Sequence, residues 1–234
     1  MIRILILSLL VNFWTVNAQP ADHSLWTDVL QTYVSDKGSV DYKDLQNNKF
    51  ILNSYLKVLR ANTPNYAWSI DAKKAYWINA YNAFTVKLIL ENYPLKSIKD
   101  LRRPWDQCFI EIDGEKITLN TIEHEILRPM GDPRIHFAIV CASESCPKLL
   151  NYAYESDTLE QQLEQATKMF INDPSRNSIN YSSVKISKIF KWFKTDFPKS
   201  EAFIAFLNNY STLKIATQVD IDYLNYSWSL NDNE

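Results

Sequence analysis

Glycine occurs only three times in the 234 residues of this chain, as Gly38, Gly114 and Gly131. Folds that bind dinucleotides or nucleotide phosphates need several glycines within one turn, because the backbone there approaches the phosphates closely. No such turn is present, and no flavin, nicotinamide or nucleotide motif occurs. We therefore expect neither those folds nor a bound cofactor.

The charges of the chain argue against a nucleic-acid partner. The formal net charge is −2, and the 25 lysine and arginine residues are dispersed along the sequence. A nucleic-acid-binding surface requires a concentrated basic patch or stripe. By contrast, hydrophobic residues make up 46% of the chain, which is enough for a sizeable core.

The N-terminus has the layout of a cleavable signal peptide. A basic residue precedes an apolar run at residues 4–13, and small residues occupy positions −3 and −1 of the expected cut after Ala18. The run is well short of the roughly 20 residues that cross a bilayer, so we expect no membrane anchor after cleavage. The sequence predicts a signal peptide at 1–18 and an exported protein, periplasmic or extracellular, that begins at Gln19.

Residues 19–234 are predicted to form a single α+β domain, with helices packed around a small, mostly antiparallel sheet. Apolar periodicity and turn residues indicate helices at 23–34, 42–59, 71–92, 121–127, 158–172 and 201–210, and another that begins at Pro147. Alternation and turn residues indicate hairpins at 108–119 and 178–193, a buried strand at 134–141 and a short strand at 220–224.

Several segments together resemble one known family, the domain of unknown function 547. The resemblance implies an exported bacterial protein, or a related domain attached elsewhere to other modules, and it implies no activity. The segments that carry it follow one another in the expected order: Ala75–Ala83, Thr118–Arg128, Asp132–Pro147, Ile186–Phe193 and Asp222–Asn231.

The segment Cys141-Ala-Ser-Glu-Ser-Cys146 offers a cysteine nucleophile. A helix that begins at Pro147 would place Cys146 at its N-terminus, where free N–H groups and the helix dipole favour a thiolate. Cys141 would end the buried strand. Ser143 and Ser145 are predicted to help bind the substrate, by donating hydrogen bonds to a developing oxyanion.

The alternative is that Cys141 and Cys146 form a disulfide, because export places them in an oxidising compartment. Cys108 would then be the cysteine that remains unpaired.

Glu123, His124 and His136 are the candidate bases. In a regular strand, His136 and Cys141 would point to opposite faces and stand ~16 Å apart, so His124 is the preferred general base. Glu123 could orient an imidazole, including that of His136. The alternative for each histidine is a half-buried residue with its hydrogen bonds satisfied. The spacing lacks the close ligand pairs of structural zinc sites, so we predict no metal site.

Asn79 and Asn82 are three residues apart on the predicted helix 71–92 and therefore neighbours on its surface. They are predicted to line a pocket and bind a substrate amide or sugar. The alternative is that they tie the helix to a neighbouring loop.

These residues support two hypotheses. One is a thiol-dependent hydrolase or transferase that acts on an extracytoplasmic amide or ester, in a small molecule, a peptide or the cell wall. The other is a non-catalytic binding or structural domain in which the cysteines form a disulfide.

Overall fold

The computed structural model describes residues 20–233 and confirms the α+β class, with helices around two small sheets. The predicted signal peptide lies outside the described residues. None of the helices within residues 20–233 combines the length and apolar character that crossing a bilayer requires. The α-helices are α1 Ser24–Tyr33, α2 Tyr42–Asn47, α3 Phe50–Ala61, α4 Ile70–Asn92, α5 Leu159–Ile171, α6 Ile189–Trp192 and α7 Glu201–Tyr210.

Helix α4 is the central helix of the larger hydrophobic core. Ser69 caps its N-terminus by accepting a hydrogen bond from the backbone N–H of Ala72 at 3.0 Å. Buried residues occupy all of its faces, which is the pattern of a helix surrounded by protein. It contacts α2, α3 and the π-helix Thr121–Leu127. The predicted helix 71–92 is confirmed.

The predicted hairpin 108–119 is confirmed, whereas the predicted hairpin 178–193 is confirmed only as far as Ile186, because Ile189–Trp192 form helix α6 instead of continuing the second strand. Strands β1 Ile110–Ile112 and β2 Glu115–Ile117 pair antiparallel around Asp113 and Gly114, both of which have positive φ. Strands β3 Ser178–Ile179 and β4 Val184–Ile186 also pair antiparallel, and β5 Ile221–Tyr223 adds to β4 in parallel.

The predicted strand at 134–141 is wrong. Pro133–Phe137 form a 3₁₀-helix, which begins because the Asp132 carboxylate accepts the backbone N–H of Arg134. A short apolar run does not by itself distinguish a strand from a buried helical turn. The residues after Phe137 form an irregular buried segment.

Two other predictions at helix boundaries are also corrected. No helix begins at Pro147, since the next helical turn after Phe137 is the 3₁₀-helix Ser156–Thr158. Cys146 therefore lies in a loop rather than at a helix N-terminus. The predicted helix 42–59 is divided into α2 and α3 after Asn48, whose backbone and side-chain N–H groups cap α2 by bonding Asp44. The remaining short 3₁₀-helices are Ile98–Asp100, Pro104–Asp106 and Arg128–Met130.

A second hydrophobic cluster lies beside the first and is rich in phenylalanine. Phe137 stacks on Phe170 with ring centroids 4.8 Å apart, and it also contacts Phe190 at 5.5 Å. The neighbours of Phe137, Ile135 and Ala138, belong to the first cluster. The 3₁₀-helix Pro133–Phe137 therefore joins the two clusters, and it carries His136.

Candidate active site

The aromatic pocket is a cleft of about 250 Å³ that brings together every predicted catalytic residue. Cys141, Cys146, Glu123, His124 and His136 all line it. Most of the remaining lining is apolar, which is typical of ligand sites that contain a few polar groups. The aromatic lining residues are Tyr81, Trp105, Trp192, Phe193, Tyr226 and Trp228.

Glu123 is a buried carboxyl group on the π-helix Thr121–Leu127, with 7% of its surface exposed. The hydroxyl of Tyr81 donates to its Oε2 at 3.1 Å. Burial raises the pKa of Glu123 to about 7. The hydrogen bond from Tyr81 and the charge of Arg128 lower this pKa, but the effect of burial is larger. Glu123 can therefore hold a proton close to neutral pH and release it to a leaving group.

The raised pKa of Glu123 predicts a loss of stability as pH rises. In the unfolded chain the carboxyl group titrates near 4.5, and in the folded protein at about 7. Between these values the folded state holds the extra proton, so raising the pH through this window disfavours the fold. The free energy of unfolding of the wild type should fall between pH 4.5 and pH 8.5, and this fall should be roughly 3 kcal/mol larger than the change in Glu123→Gln over the same range. Urea unfolding at the two pH values measures this.

The control for this experiment is Glu125→Gln, which removes an exposed carboxyl group from the same helix. This variant should keep the wild-type pH dependence. If Glu123→Gln follows the wild type at both pH values, Glu123 is ionised in the fold across the range and the assignment is wrong.

His136 is held by a carboxylate in an orientation that leaves one ring nitrogen free. Its Nε2 lies 2.8 Å from Oδ2 of Asp196. The Asp196 carboxylate accepts two hydrogen bonds of 2.6 Å from Arg128, which lower the pKa of Asp196 far below its usual range. An ionised carboxylate only accepts, so Nε2 carries the hydrogen and Nδ1 carries a lone pair.

The free Nδ1 of His136 is the unusual group of the site. It is buried and has no hydrogen-bond partner within residues 20–233. Burial lowers the pKa of His136 to about 4, so the ring is neutral around pH 7. The ring also stacks on Phe193 at 4.0 Å. A buried nitrogen without a partner is unfavourable unless a ligand or solvent molecule satisfies it, and here it belongs to a pocket-lining side chain.

His124, the predicted general base, lines the pocket with one ring nitrogen already hydrogen-bonded. Its Nδ1 lies 3.0 Å from Nη1 of Arg128, and a guanidinium can only donate. The lone pair of Nδ1 is therefore occupied, and Nε2 carries the hydrogen. Burial and the charge of Arg128 lower the pKa of His124. His124 therefore has a ring N–H to donate, whereas His136 Nδ1 has a free lone pair, so His136 is the better candidate for the base.

Cys141 and Cys146 are joined by a disulfide, as the second hypothesis predicted, and Cys108 is an exposed free thiol. In this state neither sulfur is the thiol nucleophile that the first hypothesis requires. Tyr226 Oη lies 3.2 Å from Cys146 Sγ and 3.4 Å from Cys141 Sγ. Ser143 Oγ lies 3.3 Å from Cys146 Sγ.

Ser143 and Ser145 do not line the aromatic pocket. Ser143 is buried against the two sulfurs, and Ser145 accepts the backbone N–H of Ser227 through its hydroxyl at 2.8 Å. The C-terminal segment also pairs with this loop through Glu144, whose N–H donates to the carbonyl of Ser229 at 2.8 Å. These bonds place Tyr226 beside the disulfide.

Asn79 and Asn82, which were predicted to bind substrate, do not line the aromatic pocket. Both are buried and bond the backbone of the segment that leads into and out of the cysteine loop. The side-chain amide of Asn79 accepts the backbone N–H of Tyr154 at 2.9 Å and donates to its C=O at 2.8 Å. The side-chain amide of Asn82 donates to the C=O of Ala138 at 2.9 Å and accepts the N–H of Val140 at 2.8 Å. They tie α4 to the loop, as the alternative stated.

Two groups of the site, Asp196 and Tyr226, were not predicted, because no local pattern marks them. Asp196 is 60 residues from His136 in the chain, and Tyr226 is 80 residues from Cys146. Tyr226 does lie in one of the segments that carry the family resemblance. No cluster of three His, Cys, Asp or Glu side chains within residues 20–233 is placed to hold a metal ion.

Residues 66–171 match the family described as Protein of unknown function, DUF547. No curated protein and no solved structure matches the chain. The matched segment contains α4, both cysteines, Glu123, His124 and His136, and it ends before Asp196 and Tyr226. The match confirms that this chain resembles the DUF547 family over the segment that carries the candidate catalytic residues.

Proposed function

We propose that the protein is an exported hydrolase or transferase that acts on an ester or amide in the aromatic pocket. The observation that carries the proposal is the buried His136, whose Nδ1 lone pair is free, in the same cleft as the proton-holding Glu123. Between pH 4 and 7 the His136 ring is deprotonated and the Glu123 carboxyl group is protonated, which are the states that a general base and a general acid need for acyl transfer.

The proposed reaction uses the two groups in sequence. His136 Nδ1 takes a proton from water, or from an acceptor hydroxyl or amine, as that oxygen or nitrogen attacks the carbonyl carbon. Asp196 stabilises the imidazolium that forms, through the bond to Nε2. The proton on Glu123 then passes to the leaving oxygen or nitrogen. The exposed ring N–H of His124 is a donor available to the oxyanion.

The pocket lining favours a substrate with a flat apolar face. Trp192 stacks on Trp228 with centroids 5.6 Å apart, and Trp105 packs edge-on against Trp228 at 5.8 Å. Lys99 Nζ lies 3.9 Å from the Trp228 ring centroid and adds a positive charge beside this surface. An aromatic acyl group, a peptide side chain or a sugar face fits such a wall.

Export is supported by the N-terminal pattern and by the disulfide, since disulfides persist mainly in oxidising compartments. The thiol-dependent form of the reaction would require the reduced cysteines. The acid–base pair described above does not.

We expect His136→Ala to lower kcat/KM for ester hydrolysis about a hundredfold, because it removes the general base. The probes are p-nitrophenyl butyrate and an N-acetylphenylalanine p-nitroanilide. The wild-type kcat/KM should be highest between pH 4 and 7, where His136 is neutral and Glu123 is protonated. Glu123→Gln should lose the decline in rate above pH 7.

The matched control is His23→Ala, which removes a buried histidine that bonds Tyr55 and does not line the pocket. It should keep the wild-type rate in the folded protein. Wild-type activity in His136→Ala would exclude the proposed base. Tight binding of the probes, measured by tryptophan fluorescence, with no turnover at any pH would identify a binding domain instead.

A further inference from the structure

We propose that the Cys141–Cys146 disulfide is redox-active and exchanges with the thiol of a cysteine-containing peptide bound in the aromatic pocket. Cys141 is the sulfur that is attacked, and Cys146 is the sulfur that leaves. This inference does not depend on the acid–base chemistry proposed above.

Access to the two sulfurs differs. Both cysteines line the aromatic pocket, but Cys146 is only 2% exposed, whereas Cys141 is partly exposed. A thiolate that enters through the pocket therefore meets Cys141 first. Thiol–disulfide exchange depends strongly on which sulfur the attacking group can reach.

The hydrogen bonds around the sulfurs favour Cys146 as the leaving group. The backbone N–H of Cys141 donates to Cys146 Sγ at 3.0 Å, and the hydroxyl of Tyr226 donates to it at 3.2 Å. Ser143 Oγ lies almost equally close to both sulfurs, 3.2 Å from Cys141 Sγ and 3.3 Å from Cys146 Sγ, so the preference for Cys146 rests on the first two donors. Such donors stabilise a thiolate, and a more stable thiolate leaves faster. Burial raises the pKa of Tyr226 to about 12, so its hydroxyl keeps the proton that it donates.

The disulfide is not required to hold the cysteine loop in place. Arg176 donates to the carbonyls of Cys146 and Glu144 at 2.5 and 3.1 Å. Glu144 and Ser145 pair with the C-terminal segment, and Asn82 fixes Val140 next to Cys141. The cysteines are separated by only 5 residues, and short loops gain the least stability from a cross-link. The loop therefore keeps its position when the bond opens, and the reactive sulfurs stay in the pocket.

Peptide thiols supply the electrons that reduce the Cys141–Cys146 disulfide. The peptide thiolate bonds to Cys141 Sγ, the disulfide breaks, and its electron pair remains on Cys146 as a thiolate. The products are a mixed disulfide on Cys141 and a free Cys146. A second peptide thiol then attacks the peptide sulfur of the mixed disulfide and releases Cys141. Two thiols are oxidised to one disulfide, and both cysteines are reduced and take up the two protons.

The experiment uses the folded chain with Cys108→Ser, because Cys108 is an exposed thiol that would react independently. The probe is reduced N-acetyl-Phe-Cys-Gly amide, and N-acetylcysteine amide is the reference thiol without an aromatic group. Reactions are quenched with acid, free thiols are alkylated, and adducts are located by peptide mass spectrometry. We expect the adduct on Cys141, alkylation on Cys146, and at least about tenfold faster opening with the aromatic probe.

Tyr226→Phe should slow the opening about tenfold, because the leaving sulfur loses a donor. Tyr223→Phe is the matched control, since Tyr223 is an exposed tyrosine on β5 with no bond to either cysteine within the described residues. An adduct on Cys146, the absence of any adduct in the folded protein, or equal rates for the two tyrosine variants would overturn the proposal. If Tyr226→Phe does not fold, the proposal is tested by two measurements on the Cys108→Ser chain alone: which cysteine carries the adduct, and the ratio of the opening rates with the two probes.

Discussion

Replacing Asn82 by alanine should lower the free energy of unfolding by about 4 kcal/mol. The substitution leaves the C=O of Ala138 and the N–H of Val140 without their partners in a buried segment. Each unsatisfied buried group costs about 1–3 kcal/mol. Asn82 is itself 2% exposed, so water does not readily replace the lost amide. Urea unfolding followed by tryptophan fluorescence measures the change.

The matched control is Asn92→Ala at the end of the same helix. Asn92 is exposed, and among residues 20–233 its side-chain amide bonds only the carbonyl of Leu88 one turn earlier. Alanine is the better helix former, so this variant should change stability by less than about 0.5 kcal/mol. Equal losses in both variants would mean that the Asn82 bonds do not hold the loop. Since Asn82 fixes the residues before Cys141, Asn82→Ala should also weaken probe binding.

Replacing Gly38 by alanine should destabilise the protein by about 3 kcal/mol. Gly38 has φ +83°, a left-handed conformation that costs an L-residue about 1–2 kcal/mol. An added Cβ would also lie 2.8 Å from Cα and Cβ of Lys148 and 3.0 Å from the backbone nitrogen of Leu149. Such overpacking costs a further 1–3 kcal/mol or so, because backbone must move. Thermal and urea unfolding measure the loss.

Two other glycines separate the conformational part of this effect from the steric part. Gly114 and Gly131 have φ +76° and +73°, but an added Cβ would meet nothing within 4 Å of either. Gly114→Ala and Gly131→Ala should therefore cost only about 1 kcal/mol each. A loss at Gly38 no greater than at these positions would show that Lys148 does not pack closely against Gly38.

The elements that the sequence predicted well are those whose signals are local. The apolar residues of α4 and the Asp113-Gly114 turn are sufficient to define a helix and a hairpin, because their geometry depends on near neighbours. The segment 134–141 failed because it is buried on all sides, so its residues show no period. The Asp132-Pro133 pair starts the helical turn that forms there instead.

The identities of the site residues were predicted better than their roles. Glu123, His124, His136 and both cysteines do meet in one pocket, but the sequence could not show which carboxylate orients which imidazole. Asp196 takes that role across 60 residues of chain. The phenylalanines that flank it, Phe193 and Phe197, predict only a buried hydrophobic segment and no site residue. Contacts of this range are set by how the two hydrophobic clusters pack, which no local pattern encodes.

The aromatic pocket has two origins along the chain. Glu123, His136 and the disulfide come from residues 66–171, whereas Trp192, Phe193, Tyr226 and Trp228 come from later segments. Substitutions at Trp192 and Trp228 can therefore reshape what the cleft accepts while Glu123 and His136 stay where they are. A graft of the whole later segment would do more, because it would also replace Asp196 beside His136 and Tyr226 beside the disulfide.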